Sequence, residues 1–356
     1  MERFAWTRFA DCVLEDPFFD SLKGAYEEFP QWFRKKANAG EEALVSRDDD
    51  GIIAFVYLKL ENESIVLRDK IVPATKRLKI GTFKMGERYQ GQRAGEGAMG
   101  VALWRWQETK CDEVYATMFK EQQRLISLFE RFGFQKIGDN ERGEQVYLRS
   151  RRNIDYSDPY RSFPFIRPDF TKAGIIPIEQ GYHDRLFPYS ELQGTPHELE
   201  QEAAGNGMTK VFVGFPYQRP SYALREPVFI YRKSDETPKW YHSCVTSFAT
   251  LTGIQIIKDN GVPTVDSATF VRKAGNKTIF DEKTLTEFYE TKPNIVMLEM
   301  VYNGVFGKGH NVPYGTLKEA GLFEGHPYGI EYSRSEFLQI LEMGGRDAKN
   351  IVIDQA

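Results

Sequence analysis

The residues with the clearest chemical potential are Gln90-Gly91-Gln92-Arg93-Ala94-Gly95-Glu96-Gly97. They stand between a strand-like run, RLKIGTFKMGERY (77–89), and a helix-like run, AMGVALWRWQETK (98–110). Several small residues thus fall where a strand hands over to a helix. At such a point the first helical N–H groups have no internal acceptor, and the helix dipole adds partial positive charge. That arrangement takes an anion, most often phosphate.

Glycine turns before helices also occur in dinucleotide folds, in P-loops and in plain helix caps. The dinucleotide pattern G-x-G-x-x-G, with an acid about 20 residues on, does not fit: the glycines stand at 91, 95 and 97. The Gly-Lys-Ser/Thr of a P-loop is missing. The elements that must position the turn narrow the choice. A short strand, EVYATMF (113–119), follows, then an amphipathic helix, QRLISLFERFGF (123–134). Upstream, Glu42–Arg47, the acidic turn Asp48-Asp49-Asp50-Gly51 and Ile52–Leu60 read as a β-hairpin. Glu144–Leu148 reads as a closing strand.

This succession resembles the GNAT N-acetyltransferases over roughly residues 1–150. The turn is similar to their motif A, Gln/Arg-x-x-Gly-x-Gly/Ala, in two registers. Gln90–Gly95 keeps the spacing from the strand and puts Arg93 where the family has glycine. Gln92–Gly97 satisfies the pattern two residues later. The first is preferred, because Tyr89-Gln90-Gly91 matches the usual lead-in. Phe129-Glu130-Arg131-Phe132-Gly133-Phe134 resembles the motif B ending, Tyr-Glu-x-x-Gly-Phe, with Gln122 where that motif often has asparagine. Asp16–Lys23 and Glu28–Phe33 resemble the first helices of a GNAT subgroup.

The resemblance implies a central mixed, mostly antiparallel sheet flanked by helices, with acetyl-CoA as the acetyl donor. Its pyrophosphate would sit on Gln90, Gly91, Gln92, Arg93, Ala94, Gly95 and Glu96. Its pantetheine would enter between Phe83–Gly86 and Thr117–Phe119, with Gln122 and Phe129 beside it. The Met85 N–H would serve as oxyanion donor. Glu87 is the nearest carboxylate for a general base, and it reads equally as a surface charge. The family's usual acid, the motif B tyrosine, is here Phe129, which has no proton to give. Tyr89, Tyr147 or water could substitute, or the thiolate could leave unprotonated.

At 356 residues the chain exceeds the usual single-domain size, so two domains are expected. Hydrophobic residues at 41% argue against disorder. A net charge of −4 leaves nucleic acid to a local basic face at most. Three scattered cysteines and five histidines form no metal spacing, so no metal site is expected. The N-terminus lacks the apolar core of a signal peptide, and no apolar run approaches a membrane span. A soluble cytoplasmic protein without a membrane partner is the simplest reading.

The boundaries expected are 1–150, an aromatic and proline-rich connecting segment at 151–205, and a second domain at 206–356. In the connecting segment, His183 and Asp184 read as a structural pair. From Met208 the chain is β-rich, with strands expected at Lys210–Phe215, Pro227–Tyr231, Trp240–Thr252 and Ile295–Tyr302. Helices are expected at Asp281–Tyr289 and Ser335–Glu342. Phe229–Arg232, Tyr241–Ser247 and Leu317–Leu322 resemble PUA-like domains of the ASCH and EVE groups. The fold class expected is therefore α+β, the second domain a small β-barrel with short helices.

Such barrels often bind RNA or modified bases. The resemblance points to Trp240, Tyr241, Ser243 and Thr246 for base recognition and to Arg232 and Lys233 for phosphate; the same residues also read as barrel core and a solvated strand end. Gly304–Asn311 reads as an ordinary long turn. The implied function is acetyl transfer to a primary amine, on RNA, aminoacyl-tRNA or a nucleoprotein; some GNAT enzymes with such substrates are toxins. Protein lysine and small amines are the alternative acceptors, and a degenerate binder without turnover is the non-enzyme alternative. The sequence leaves a homodimer open.

Overall fold

The computed structural model describes residues 4–86, 91–190, 203–217 and 219–354. The chain divides into two compact units, Met1–Ile154 and Asp155–Ala356.

The first unit is built on a seven-stranded sheet of order β1-β2-β3-β6-β7-β9-β8. The strands are β1 (Ala5–Arg8), β2 (Glu42–Asp48), β3 (Gly51–Glu61), β6 (Arg77–Met85), β7 (Glu113–Met118), β8 (Gln135–Asp139) and β9 (Gln145–Ser150). A separate ribbon joins β4 (Ile65–Val66) to β5 (Ile71–Val72). β6 and β7 are parallel, and the other neighbours are antiparallel. The helices are α1 (Asp20–Ala25), α2 (Phe29–Asn38), α3 (Ala94–Thr109) and α4 (Gln123–Arg131).

Successive side chains of a strand face opposite sides. Phe55 and Tyr57 of β3 therefore share one side. There they pack with Phe9, Phe19, Phe29 and Phe33, which fixes α2 on that face. Phe83 of β6, in register with Val56, lies on the other face. Its ring meets Phe129 of α4 edge-on at 5.6 Å. α3 buries Ala94, Ala98, Ala102, Leu103 and Trp106, and its small residues let the helix lie close to the sheet.

The second unit contains an eight-stranded sheet. Its main path is β11 (Thr209–Gly214), β15 (Ile295–Val305), β13 (Cys244–Asp259), β12 (Pro227–Lys233), β10 (Lys172–Glu179) and β17 (Glu331–Ser333). The short strands β14 (Val262–Pro263) and β16 (Val312–Pro313) pair with β13. Its helices are α5 (Pro159–Ser162), α6 (Gln180–Leu186), α7 (Ala203–Asn206), α8 (Lys239–His242), α9 (Ser267–Ala274), α10 (Glu282–Thr291), α11 (Tyr314–Glu319), α12 (Arg334–Met343) and α13 (Ala348–Ile351).

Three expectations are corrected here. The segment 151–205 does not only connect: β10 lies inside the sheet, parallel to β12 and antiparallel to β17. Second, the small barrel is not closed among the described residues, because β11 and β17 end the order without pairing. The physical reason lies at β17. It is three residues long and turns at once into α12, where Ser333 and Glu336 form a reciprocal capping box. The expected strand at 240–252 also begins later: Trp240 and Tyr241 lie in α8, and β13 starts at Cys244.

Candidate active site

The site begins with a buried arginine. Arg77, 1% exposed, opens β6 directly opposite Glu113, the first residue of β7. Its Nε donates to Glu113 Oε2 at 2.6 Å, and its two Nη atoms donate to the Glu63 and Pro73 carbonyls, each at 2.7 Å. From this clamp the two strands stay in register through Leu78↔Val114, Lys79↔Tyr115 and Ile80↔Ala116, and no further.

The separation has a local cause. Against β3, Tyr57 faces Thr82 and Leu58 faces Ile80, so Gly81 is an extra residue in β6. A bulge of this kind bends and twists its strand. Past it, Thr82–Met85 pair with β3 alone, while Thr117 and Met118 of β7 pair with β9 alone. The facing edges of β6 and β7 are therefore open at their C-terminal ends. Gly86 N–H donates to the Ile53 carbonyl at 2.7 Å. N–H groups alternate along an extended strand, so the Met85 N–H points to the open edge.

α3 starts beside this opening. Gly91 (φ +89°) and Arg93 (φ +60°) bring the chain into it, and Gly97 N–H makes the bond to the Arg93 carbonyl. Earlier N–H groups at a helix start point outward along the axis. A Cβ on Gly95 would stand 3.7 Å from Met85 Cγ and 3.6 Å from Leu128 Cδ2, which ties the helix start to the tip of β6. Arg93, placed at the family's glycine by the preferred register, does adopt the left-handed conformation that favours glycine.

Glu96 lies in the first turn, 9% exposed. Its carboxylate takes Arg93 Nη2 at 3.0 Å and Arg131 Nη1 at 3.6 Å. Both guanidinium groups therefore stand at the start of α3. Glu96 thus organises the turn from beneath.

Glu87, Tyr89 and Gln90 lie outside the described residues. Thr117 and Phe119 are half-buried on the β7 lip. Gln122 Oε1 accepts from the Phe119 N–H at 2.9 Å and shapes the turn into α4. Phe129 is fully buried between Phe83 and Phe134 and offers no proton. The Tyr147 hydroxyl lies 3.3 Å from Gln145 Oε1 and 3.5 Å from Glu130 Oε1. Its pKa is raised, first by burial and then by Glu130.

Two side chains at the opening, Lys84 and Tyr26, make contacts that sequence reasoning did not find. Lys84 Nζ reaches the Phe18 carbonyl and the Ser21 hydroxyl. Tyr26 donates to Glu144 Oε1 at 2.9 Å across 118 positions of chain.

In the second unit the six residues expected at a nucleic-acid face are not gathered on one. Arg232, 8% exposed, is held by both Asp184 oxygens at 2.9 and 3.0 Å. Asp184 also bonds His183 Nδ1 at 2.8 Å, and His183 Nε2 meets Thr246 Oγ1 at 2.8 Å. His183 and Thr246 are wholly buried, so the His-Asp pair is structural. Ser243 is buried and accepts from Ser234 N–H. Lys233 pairs with Glu179, Trp240 packs edge-on against Tyr314, and Tyr241 faces solvent. Lys233 also borders a cleft of about 490 Å³ with Tyr182, Phe215, Phe280, Phe288 and Tyr328 in its walls.

Among the described residues no cluster of three His, Cys, Asp or Glu could hold a metal ion, and no helix is long and apolar enough to cross a membrane.

Residues 6–134 match the model of the Acetyltransferase (GNAT) family. The spermine/spermidine N(1)-acetyltransferase of Bacillus subtilis (strain 168) is 32% identical over 75 residues, 20% of this chain and 49% of that protein. The chain thus spans about half the length of the curated relative it matches. Among solved structures, ASCH from Zymomonas mobilis is similar at 15% identity, covering 48% of this chain and 93% of its own, with a TM-score of 0.31. The PaiA N-acetyltransferase of Thermoplasma acidophilum, in complex with coenzyme A, is similar at 14% identity, covering 42% and 99%, with a TM-score of 0.30.

Proposed function

We propose that the chain, whose residues 6–134 match the GNAT family model, transfers the acetyl group of acetyl-CoA to a primary amine. The parting of β6 and β7 after Ile80↔Ala116, with the start of α3 at its mouth, carries this reading. An open strand edge is a place where an extended amide chain can add as a further strand. Pantetheine is such a chain. The pyrophosphate would lie on the turn Gly91–Glu96, where the N–H groups of the α3 start favour an anion and Arg93 and Arg131 stand close by. The Met85 N–H would face the thioester oxygen and stabilise the charge that develops there.

The thioester is already activated, so the protein's work is placement, a neutral amine and an oxyanion donor. Phe129 removes the motif B acid, and the thiolate can leave as such, since a free thiol has a pKa of about 8.5.

A small or peptide-borne cationic amine is the acceptor we favour. The related Bacillus enzyme is named for polyamines, and the buried Glu144 behind Tyr26 puts a carboxylate on the α1 side of the opening. Transfer to RNA or aminoacyl-tRNA finds less support, because Arg232, Ser243 and Thr246 are buried.

The test is acetyl-CoA-dependent thiol release by the full chain with 1,4-diaminobutane, a lysine-containing tetrapeptide and deacylated or aminoacylated tRNA as acceptors. Release with an amine above the rate without acceptor, and an acetylated product by mass, is expected. Tight acetyl-CoA binding with no transfer to any acceptor would instead make the domain a binder.

A further inference from the structure

α1 runs across the open end of the β6–β7 groove. At its start, Lys84 on β6 is held by Phe18 and Ser21 and lies 4.8 Å over the Phe18 ring. At its end, the ring of Tyr26 lies 5.9 Å from that of Phe119, the residue after β7. Six helical residues span about 9 Å, close to twice the roughly 4.8 Å between paired strands. Tyr26 therefore stands at the β7 side of the opening, on the α1 face.

Its hydroxyl donates to Glu144 Oε1 at 2.9 Å, and Asn140 Nδ2 donates to Glu144 Oε2 at 2.8 Å. Glu144 is 5% exposed and forms no ion pair among the described residues. Arg142, two positions away, turns to Glu28 at 2.8 Å. A buried carboxylate held only by neutral donors is a costly arrangement.

The same unit contains an informative contrast. Tyr115 donates to Glu61, but Lys59 Nζ neutralises that carboxylate at 3.1 Å. That pair lies at the clamped end, where Glu61 is in register with Arg77. The pair without a cation is the one at the opening.

We propose that Tyr26 and Glu144 receive the proton of the acceptor amine, Tyr26 as the group that touches it and Glu144 as a positioning and proton-holding residue behind it. This rests on the acetyltransferase reading above. The ammonium proton passes to the Tyr26 oxygen as the Tyr26 proton passes to Glu144 Oε1. The neutral nitrogen then attacks the thioester carbon, the C–N bond forms and the C–S bond breaks. The leaving thiolate takes the second nitrogen proton, and Glu144 returns the first to water through Tyr26. One ammonium and one thioester give one amide, one thiol and one proton. The uncompensated carboxylate also selects acceptors that arrive as cations.

Tyr26→Phe and Glu144→Gln in the full chain test this, with 1,4-diaminobutane as the amine probe. Each change should lower kcat/KM near neutral pH by about 10²-fold, the usual size of general-base help. The loss should shrink towards about pH 10, where the free amine is neutral. The charged groups facing Tyr26 are Glu144, Arg142 and Glu28, and the last two are unchanged in both variants. The double variant should be no worse than the poorer single one, because the two act as a unit. Acetyl-CoA affinity, measured by calorimetry, should stay within about twofold of wild type, while the CoA-loaded Glu144→Gln protein should bind the diamine about tenfold more weakly.

Wild-type turnover and pH profile in Tyr26→Phe, which removes one hydroxyl and keeps the ring packing, would overturn the pair and leave acetyl transfer standing. Unchanged diamine affinity in Glu144→Gln would overturn the selection of cations. A wild-type protein that acetylates no amine would overturn the acetyltransferase reading itself, and the pair with it.

Discussion

Ile80 of β6 and Ala116 of β7 are the last residues at which those parallel strands stand in register. Before that pair the Arg77–Glu113 clamp holds the strands together, and beyond it their facing edges are open.

The bulge residue between the two regions should be sensitive to size. A Cβ on Gly81 would stand 3.1 Å from Cδ1 of Tyr57, a buried ring packed edge-on against Phe9 and Trp32. Gly81→Val should therefore cost about 1–3 kcal/mol, as overpacking does. Urea denaturation measures that cost. Calorimetry on the folded variant should show weaker acetyl-CoA binding as well, because the bend that opens the groove is disturbed.

At the clamped end, Arg77→Met should be among the more damaging single changes in the first unit. It removes the partner of Glu113 and leaves two carbonyls, of Glu63 and Pro73, without their donors. Glu113 is partly solvated, which moderates the penalty. A loss of roughly 2–4 kcal/mol follows, read from the denaturation midpoint.

Arg93 sets two effects against each other. Glycine there would relieve a left-handed residue, worth about 1 kcal/mol. It would also leave buried Glu96 with Arg131 at 3.6 Å in place of Arg93 at 3.0 Å, costing roughly 1–3 kcal/mol. The ion pair should win, so Arg93→Gly should destabilise by about 1 kcal/mol even though it restores the family's glycine. An increase in stability would show that backbone strain dominates.

His183 predicts a pH dependence for the second unit. Burial holds its pKa below the usual histidine value; Arg232 adds to the effect and Asp184 opposes it. The unfolded chain then binds a proton at about pH 6.5 that the folded chain refuses. Stability should be full above that pH. It should fall as the pH drops towards the folded value, by up to about 1.4 kcal/mol per pH unit. Burial works to raise the pKa of Asp184, but its bonds to His183 and Arg232 hold it below the usual carboxylate range. Its own contribution is lost only in stronger acid. His183→Gln should flatten the slope of the urea midpoint between about pH 7 and pH 5.

Local signals in the sequence carried much of the fold. The hairpin expected at 42–60 is β2 and β3, and the motif B helix is α4. Asp281 and Ser333 cap their helices through bonds from the Thr284 and Glu336 N–H groups. Caps and periodicity are readable because they span a few residues. The turn at Gly91–Glu96 was legible for the same reason. Its internal logic was not: no residue pattern shows that Glu96 is pinned by Arg131, which lies on another helix.

The misses share a long-range origin. Asp184 and Arg232 stand 48 positions apart, so Arg232 read as a phosphate ligand when it is a buried ion-pair partner. β10 looked like part of a connecting segment, because its parallel partner, β12, begins 48 residues after Glu179. Tyr26 and Glu144 meet across most of the first unit. Trp240 and Tyr241 suggested a strand by composition, but Pro238 precedes them and they form a short helical turn.

Titration of acetyl-CoA into the full chain by calorimetry, for wild type and Gly95→Asp, decides whether the start of α3 holds the pyrophosphate. A side chain at 95 would enter the space between Met85 and Leu128 and place a negative charge where the pyrophosphate would lie. One site per chain is expected in the wild type and a loss of at least about 10²-fold, some 2.7 kcal/mol, in the variant, with the thermal midpoints of the two proteins within a few degrees. Equal affinity in the two proteins, or no binding by the wild type at about 100 μM acetyl-CoA, weaker than −5.5 kcal/mol, would contradict it.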